Sequence, residues 1–344
     1  MEELTTPLVS VLLPVRTWRS TTAEAVNSLL NQSLRQTEIL LIGHDDINLI
    51  VKRLPSDPRI KGIAREGRGI VAALNTGLKE ARAPFIARMD DDDIAYPDRL
   101  EKQLAYLKTH PDVQLCATRV RFIDEHGGTA GVKAGNKRYE QWLNNLQTNS
   151  DIVNACFTEC PMPHPTLMAH KDVWKTLGGY RDFDGPEDYD LVLRAMLAGV
   201  GMGKPTPILQ NWREHTERLT YRDSRYRREA FTHCRAWAAR QPGSGLGLNA
   251  DRSVWICGTG KSARQWHHSL KELGVPINGF VDIGNTDVAR TKQDKPVISY
   301  EQLTVQRGAS LVVTALSEPK AREALRQYFD SNGWTQGKEY IFGA

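Results

Sequence analysis

Four consecutive aspartates, Asp90, Asp91, Asp92 and Asp93, follow a short apolar run, Pro84-Phe85-Ile86-Ala87, with Arg88 and Met89 between. That run lacks helical periodicity and reads as a buried strand. Four like charges repel one another, so a fold gains nothing by gathering them at a strand end. A divalent cation changes that balance. Hard oxygen ligands at close spacing suit Mg2+ or Mn2+, and Mg2+ is usually held by one or two carboxylates together with substrate phosphates. The bland alternative is a solvated acidic turn that caps the helix beginning near Pro97. Asp98 suffices for that cap and leaves most of the cluster unexplained, which favours the metal.

The surrounding chain predicts where such a cluster sits. Residues 8–15 form an apolar strand ending at a proline, residues 24–32 a helix, and residues 37–43 a second apolar strand. Near-continuous apolar strands alternating with helices imply an α/β fold with a mostly parallel sheet, flanked by helices on both faces. Ligands bind such sheets at the carboxyl ends of the strands. Pro14, Val15 and Arg16, the turn holding Asp45, and the four aspartates all lie at such ends, so three polar clusters converge on one edge. Arg68 precedes a helix over residues 70–81 and reads equally as an anion contact at its N-terminus or as a solvated loop arginine. Residues 97–110 read as an amphipathic helix. Two strand-like runs at 113–123 followed by the turn Glu125-His126-Gly127-Gly128 suggest a hairpin.

Further on, prolines stiffen the segment around His164, which reads as a loop histidine or as a contact to phosphate or acceptor. Glu187, Asp188 and Asp190 open a helix. Capping needs one carboxylate, which leaves another to act as a base. His215 lies among charged residues and is a candidate to complete a metal shell. Residues 213–240 hold eight arginines against four acids. They read as a solvated helix or, alternatively, as a surface for an anionic acceptor or membrane.

Length and composition bound the rest. A chain of 344 residues has room for two domains. The net charge of +4 is too small to argue for nucleic acid. Five scattered cysteines without zinc spacing fit reduced thiols and predict a cytoplasmic protein. The start, Met1-Glu2-Glu3-Leu4, lacks a signal-peptide core, and no apolar run predicts a transmembrane segment. Residues 241–252 have a linker composition and divide the expected domains, 1–240 and 253–344. In the second, Gly258-Thr259-Gly260-Lys261-Ser262-Ala263 joins a strand to a helix, and Asp282 ends the next strand. That is the βαβ nucleotide-binding pattern, and a nucleotide such as NAD is one reading of it. A glycine-rich turn that only permits helix packing is the other.

Together, Val9 to Val15, the run Arg68-Gly69-Ile70-Val71-Ala72-Ala73-Leu74-Asn75-Thr76-Gly77-Leu78, Ala87 to Asp93, His164-Pro165-Thr166, and Gly178-Gly179-Tyr180 with Glu187-Asp188-Tyr189-Asp190-Leu191 resemble the family 2 glycosyltransferases of the GT-A fold, over roughly residues 7–222. The last 95 or so residues resemble small Rossmann-like domains. The resemblance implies a nucleotide-sugar donor, a UDP-sugar above all, a Mn2+ or Mg2+ ion, and inverting transfer to a glycan or glycolipid acceptor in surface polysaccharide synthesis. The enzyme would work in the cytoplasm or at the inner membrane face, with peripheral membrane contact. Asp90-Asp91-Asp92 then looks like the D-x-D motif. Asp92 would bind the metal, Asp90 and Asp91 the ribose and metal shell, and His215 would reach the metal or diphosphate. Asp188 would be the general base, and Glu187 would orient donor or acceptor. Two stretches depart from the pattern. Arg16-Thr17 stands where Tyr-Asn is usual, and Gly43-His44-Asp45-Asp46 replaces Asp-Asp-Gly-Ser. Either Asp45 serves from a shifted loop, or base recognition differs. A nucleotidyltransferase and a nucleotide-sugar-binding adaptor are the rival readings. The first lacks its phosphate loop after the first strand, and the second draws on the departure at Asp45.

Overall fold

The computed structural model describes residues 6–248, 252–282, 290–304, 308–316 and 318–344. The acidic start and residues 249–251 of the expected linker lie outside them. Two compact units emerge, and they interleave along the sequence. The first takes the described residues of Met1–Ile152, Pro161–Phe183 and Val200–Arg222. The second takes those of Val153–Cys160, Asp184–Gly199 and Asp223–Ala344.

In the first unit the strands are β1 (Val9–Pro14), β2 (Thr37–Gly43), β3 (Ile60–Ala64), β4 (Phe85–Arg88), β5 (Ile94–Ala95), β6 (Leu115–Cys116), β7 (Arg119–Ile123), β8 (Met168–His170), β9 (Met202–Gly203) and β10 (Ile208–Arg213). Its helices include α1 (Ser20–Leu30), α2 (Ile47–Val51), α3 (Gly69–Glu80), α4 (Arg99–Thr109), α5 (Ala134–Asn145) and α7 (Lys171–Thr176), and α6 (Asn149–Ala155) begins in it and ends in the second unit. The main sheet has the order β3-β2-β1-β4-β8-β6-β9. Its β3, β2, β1 and β4 are parallel, and β8 runs against both neighbours. The central strands are buried on both faces, as their unbroken apolar sequence requires. Val9, Val11 and Leu13 pack with Ala25, Val26 and Leu29 of α1 on one face. On the other face Gly77 of α3 comes so close that a Cβ there would lie 2.9 Å from both Leu12 and Ile42.

A second, three-stranded sheet has the order β5-β10-β7. It corrects the expected hairpin. β7 pairs in parallel with the distant β10, Phe122 opposite Trp212, and the residues after the turn at Gly127 lead to α5 instead of a return strand. The turn residues are real turn formers, since Gly127 has φ +83°. What sequence could not show is that β7's partner lies some ninety positions downstream.

The first unit ends in α9 (Leu219–Arg222); the second holds α8 (Glu187–Leu197), α10 (Arg228–Arg240), α11 (Lys261–Glu272), α12 (Tyr300–Thr304) and α13 (Pro319–Ser331). β11 (Ser253–Cys257), β12 (Ile277–Val281), β13 (Arg290–Lys292), β14 (Lys295–Ile298), β15 (Ser310–Thr314) and β16 (Tyr340–Phe342) form a sheet of order β13-β14-β12-β11-β15-β16. All neighbours are parallel except the edge pair β13 and β14. The parallel strands follow a doubly wound order, with the switch point beside β11. The segment with linker composition is packed: Pro242–Ser244 is a 3-10 turn, and Leu246 and Leu248 are buried.

Candidate active site

The aspartates sit where the chain leaves one sheet for the other. β4 ends at Arg88, whose backbone N–H donates to Leu167, and Met89 is fully buried and donates to the Leu12 carbonyl. The chain turns at Asp91 and Asp92, and β5 then pairs with β10, Ala95 opposite Gln210. The four carboxylates are therefore fixed at both ends by sheet pairing, at the carboxyl edge of the parallel strands.

Each aspartate has a different environment. Asp90 pairs with Arg88 Nη1 at 2.5 Å, and Arg88 is itself 3 % exposed. Burial opposes the Arg88 charge, but the Asp90 carboxylate outweighs it and raises the arginine's pKa. Asp91 accepts a hydrogen bond from Thr22 at 3.2 Å, and burial with the charges of Asp92 and Asp90 pushes its carboxyl up to about 7. Asp92 also suffers burial. The His215 Nε2 contact at 2.6 Å and the charge of Arg218 nevertheless hold it below the usual carboxylate range. Asp93 is fully buried, accepts from the Arg213 backbone N–H and from Gln210 Nε2, both at 2.9 Å, and is raised by burial and its acidic neighbours.

Carboxylate oxygens of Asp90, Asp92 and Asp93 come within 4.8 Å of one another. That spacing and donor type fit a small hard cation. Both Asp93 oxygens are engaged by fixed donors, so Asp93 anchors the loop, and Asp90 and Asp92 present the cluster's open oxygens. His215, expected to complete a metal shell, has its Nε2 2.6 Å from the Asp92 carboxylate. Sequence reasoning missed Arg213, which touches four partners at once. Its backbone N–H holds Asp93, Nε holds the Asp92 carbonyl at 2.8 Å, Nη1 the Glu125 carbonyl at 2.9 Å, and Nη2 the Glu24 carboxylate at 2.6 Å. Only the tertiary pairing of β10 with β5 reveals that role.

The other expected residues of this unit fall into two groups. Pro14 and Val15 end β1, Arg16, Asp45 and Arg68 are exposed, and Arg68 stands in extended conformation just before α3. Val15 is buried and donates its N–H to Ile42. His164 is buried at 7 % exposure, with Nε2 2.9 Å from the Tyr180 hydroxyl. Burial and the nearby Arg88 charge hold it well below its ordinary pKa, so it is neutral. Tyr180 in turn exchanges backbone bonds with the Asn75 amide, at 2.9 Å and 2.8 Å. Gly179, with φ +67°, leaves room for that amide, because a Cβ there would lie 2.7 Å from Asn75 Oδ1. Three separate sequence motifs are thus one hydrogen-bonded scaffold beneath the aspartate loop.

In the second unit, Glu187 and Asp188 form the first turn of α8. Asp188 accepts from the Tyr189 N–H at 2.7 Å, whereas Asp190 is buried and paired with Arg194 at 2.8 Å. Tyr189 is anchored by donating to the Cys156 carbonyl. Gly258 needs its φ of +106°, and Gly260 precedes α11 in extended conformation. Asp282 follows β12 and donates its N–H to Ile298.

A family model described as "Glycosyl transferase family 2" matches residues 10–173. An O-antigen biosynthesis glycosyltransferase, WbnJ, of Escherichia coli is 30 % identical over 220 residues, which span 61 % of this chain and 81 % of that protein. The amylovoran biosynthesis glycosyltransferase AmsE of Erwinia amylovora is 29 % identical over 58 % of this chain and 73 % of its own length. Among solved structures, that of S. aureus TarS 1-349 in complex with UDP-GlcNAc is similar in fold. Its TM-score is 0.52 at 15 % identity, over 78 % of this chain and 81 % of that one. No helix among the described residues is long and apolar enough to cross a membrane.

Proposed function

This chain belongs to glycosyl transferase family 2, and we propose that it transfers a sugar, with inversion, from a UDP-sugar to a glycan or glycolipid acceptor in surface polysaccharide synthesis. The observation that carries this reading is the aspartate loop, whose carboxylates converge at the carboxyl edge of a parallel sheet with a cation-sized spacing. Named relatives in O-antigen and amylovoran biosynthesis support the pathway class. The similar TarS structure with UDP-GlcNAc supports the donor class.

In this reading Asp90 and Asp92 hold Mn2+ or Mg2+, with His215 setting the orientation of Asp92. Such an ion, when bound, would lend positive charge to the departing diphosphate. Pro14, Val15, Arg16, Asp45 and Arg68 border the nucleotide, and Asp91 faces its ribose. Asp188 takes the proton of the acceptor hydroxyl as that oxygen attacks the anomeric carbon. His164, neutral and bonded to Tyr180, supports the loop from behind and is reassigned from substrate contact to scaffold.

Calorimetric titration of UDP with Mn2+ and then with EDTA tests the proposal. Binding should require the ion. Asp92→Asn keeps size but removes charge, and it should weaken UDP binding by at least about tenfold while the melting temperature stays within a few degrees. Equal UDP affinity with and without the ion would remove the metal from the reading.

A further inference from the structure

Arg99 opens α4 and is fully buried, yet among the described residues no carboxylate pairs with it. Its three nitrogens go to neutral oxygens instead. Nε donates to Gln103 Oε1 at 3.0 Å, Nη2 to the Arg88 carbonyl at 2.6 Å, and Nη1 to Gln210 Oε1. Burial lowers its pKa to about 10, against the pull of the Asp93 charge, and leaves it a cation at neutral pH. A buried cation without an ion partner is costly, and a position that only needed filling would be better served by an apolar side chain of like size.

The three acceptors show what this arginine is for. Each belongs to a different element around the aspartate loop: Gln103 to α4, Arg88 to the end of β4, and Gln210 to β10. Both amides pass the contact on. Gln103 Nε2 donates to the Thr166 carbonyl at 2.7 Å, and Gln210 Nε2 donates to Asp93 Oδ2 at 2.9 Å. A guanidinium has only donors and a carboxylate only acceptors. An amide held between the two has one orientation, with its oxygen toward Arg99 and its nitrogen toward Asp93. Arg99 therefore fixes Gln210 as a donor. Asp93 Oδ1 takes the Arg213 N–H at 2.9 Å, so the arginine governs one of the two bonds that β10 makes to this carboxylate. Turned over, the amide would set Oε1 against Asp93 and repel the loop.

We propose that Arg99 is a positioning residue of the aspartate loop: through Gln210 it holds Asp93, and with it the carboxylate oxygens of Asp90 and Asp92, at the spacing that a divalent cation needs. Being fully buried, it acts only through these bonds. The inference rests on the reading of Asp90 and Asp92 as the ion's ligands.

Full-length protein at pH 8, with UDP and Mn2+, carries the test, and free Mn2+ is read by its electron paramagnetic resonance signal. Gln210→Glu keeps the shape and gives Arg99 an acid to pair with, but removes the donor to Asp93. Its melting temperature should stay within a few degrees of wild type. Its Mn2+ affinity in the presence of UDP should fall at least about tenfold, the worth of one hydrogen bond to a charged group. Wild-type Mn2+ affinity in this variant overturns the proposal, because a mere staple of the core is satisfied by either orientation. Should the variant fail to fold, Gln210→Met, which lacks the donor and adds no charge, decides by the same reading. Arg99→Lys tests the origin of the effect. One ammonium cannot hold three separated acceptors in the manner of the planar fork, so Mn2+ affinity should again fall about tenfold. A folded Arg99→Lys that binds Mn2+ like wild type removes the arginine from the role. At saturating Mn2+, UDP binding by the Gln210 variant should return to within about twofold of wild type, since only capture of the ion is impaired. UDP binding that stays weak there means general damage to the cleft and overturns the proposal. Wild type and Asp92→Asn, run alongside, separate the two levels. If wild type with UDP takes up no Mn2+, the metal reading falls and this inference with it. If Asp92→Asn loses the ion while Gln210→Glu keeps it, only this inference falls.

Discussion

Glu38 and the aspartates occupy opposite ends of the same parallel strands, and the contrast shows what each end is for. Glu38 is 2 % exposed at the amino end, where Ser10 donates to it at 2.6 Å, Arg82 at 2.9 Å twice, and Lys61 at 3.1 Å. Every lone pair is spent, and although burial raises its pKa, these donors together lower it below 4.5. At the carboxyl end Asp90 pairs with Arg88 and Asp92 with His215, and neither carboxylate has a ring of donors like that around Glu38. A carboxylate with a depressed folded pKa adds stability above its unfolded pKa, and that stability is lost as pH falls through the folded value. Glu38→Gln should therefore cost about 1–3 kcal/mol near neutral pH, discounted because Lys61 and Arg82 are partly exposed. The gap to wild type should close on acidification, and urea midpoints across that range would show it. A gap that stays constant down to the lowest pH would mean that the charge of Glu38 contributes nothing. The cluster was legible in sequence because charges crowded at a strand end defy a structural explanation. Glu38 and Arg213 were not legible, because each is an ordinary charge whose partners only the fold brings together.

Among the elements, the long apolar strands and their parallel order followed from sequence, because burial on both faces leaves no polar positions to confuse the period. The short strands did not. β5, β6 and β9 have two residues each, and β7 finds its partner through β10. A two-residue β5 carries no periodicity and β7's partner β10 lies some ninety positions on, so the pairing of the second sheet, which positions the aspartates, could not be read. The β11–α11 turn shows the opposite case, a clear motif with an ambiguous purpose. Gly258 is explained by the backbone alone, since its φ is +106° and a Cβ would lie 2.9 Å from Leu316. Gly260 is different, because a Cβ there would meet nothing within 4 Å. Packing does not require glycine at that point, whereas close approach of a phosphate would. NAD or a related nucleotide should then raise the melting temperature of the full chain, and Gly260→Val should abolish the shift without lowering the melting temperature in its absence. If no nucleotide shifts the wild-type protein, the turn serves helix packing only.

For the whole molecule, the question is whether residues 1–240 form an independent catalytic domain, as composition suggests. The contacts argue otherwise, because the second unit takes in Val153–Cys160 and Asp184–Gly199 from the middle of the chain. Within it Tyr189 of α8 donates to the Cys156 carbonyl and its ring lies 5.7 Å from Phe231 of α10. On α10, Arg235 is 7 % exposed and donates to the Thr158 carbonyl at 2.7 Å and to the Gly343 carbonyl at 3.0 Å, which also accepts from Trp266 at 2.7 Å. The turn at Gly243 seats against the end of α8, where a Cβ would fall 2.3 Å from the Leu197 carbonyl. Ending the chain at Arg240 removes that turn, the Gly343 carbonyl and the whole of β16. Arg235 would keep its charge and lose part of its solvation shell, a costly state for a buried cation. The helix that carries Glu187 and Asp188 would then lose its support. A protein of residues 1–240 should bind a hydrophobic dye, melt without a sharp transition and transfer no sugar, even with the aspartate loop intact in sequence. A cooperative transition at the wild-type midpoint, with retained turnover, would show instead that the first 240 residues fold and act by themselves. The C-terminal sheet would then be a separate module joined to them, and its role would have to be sought in ligand binding instead of in the support of α8.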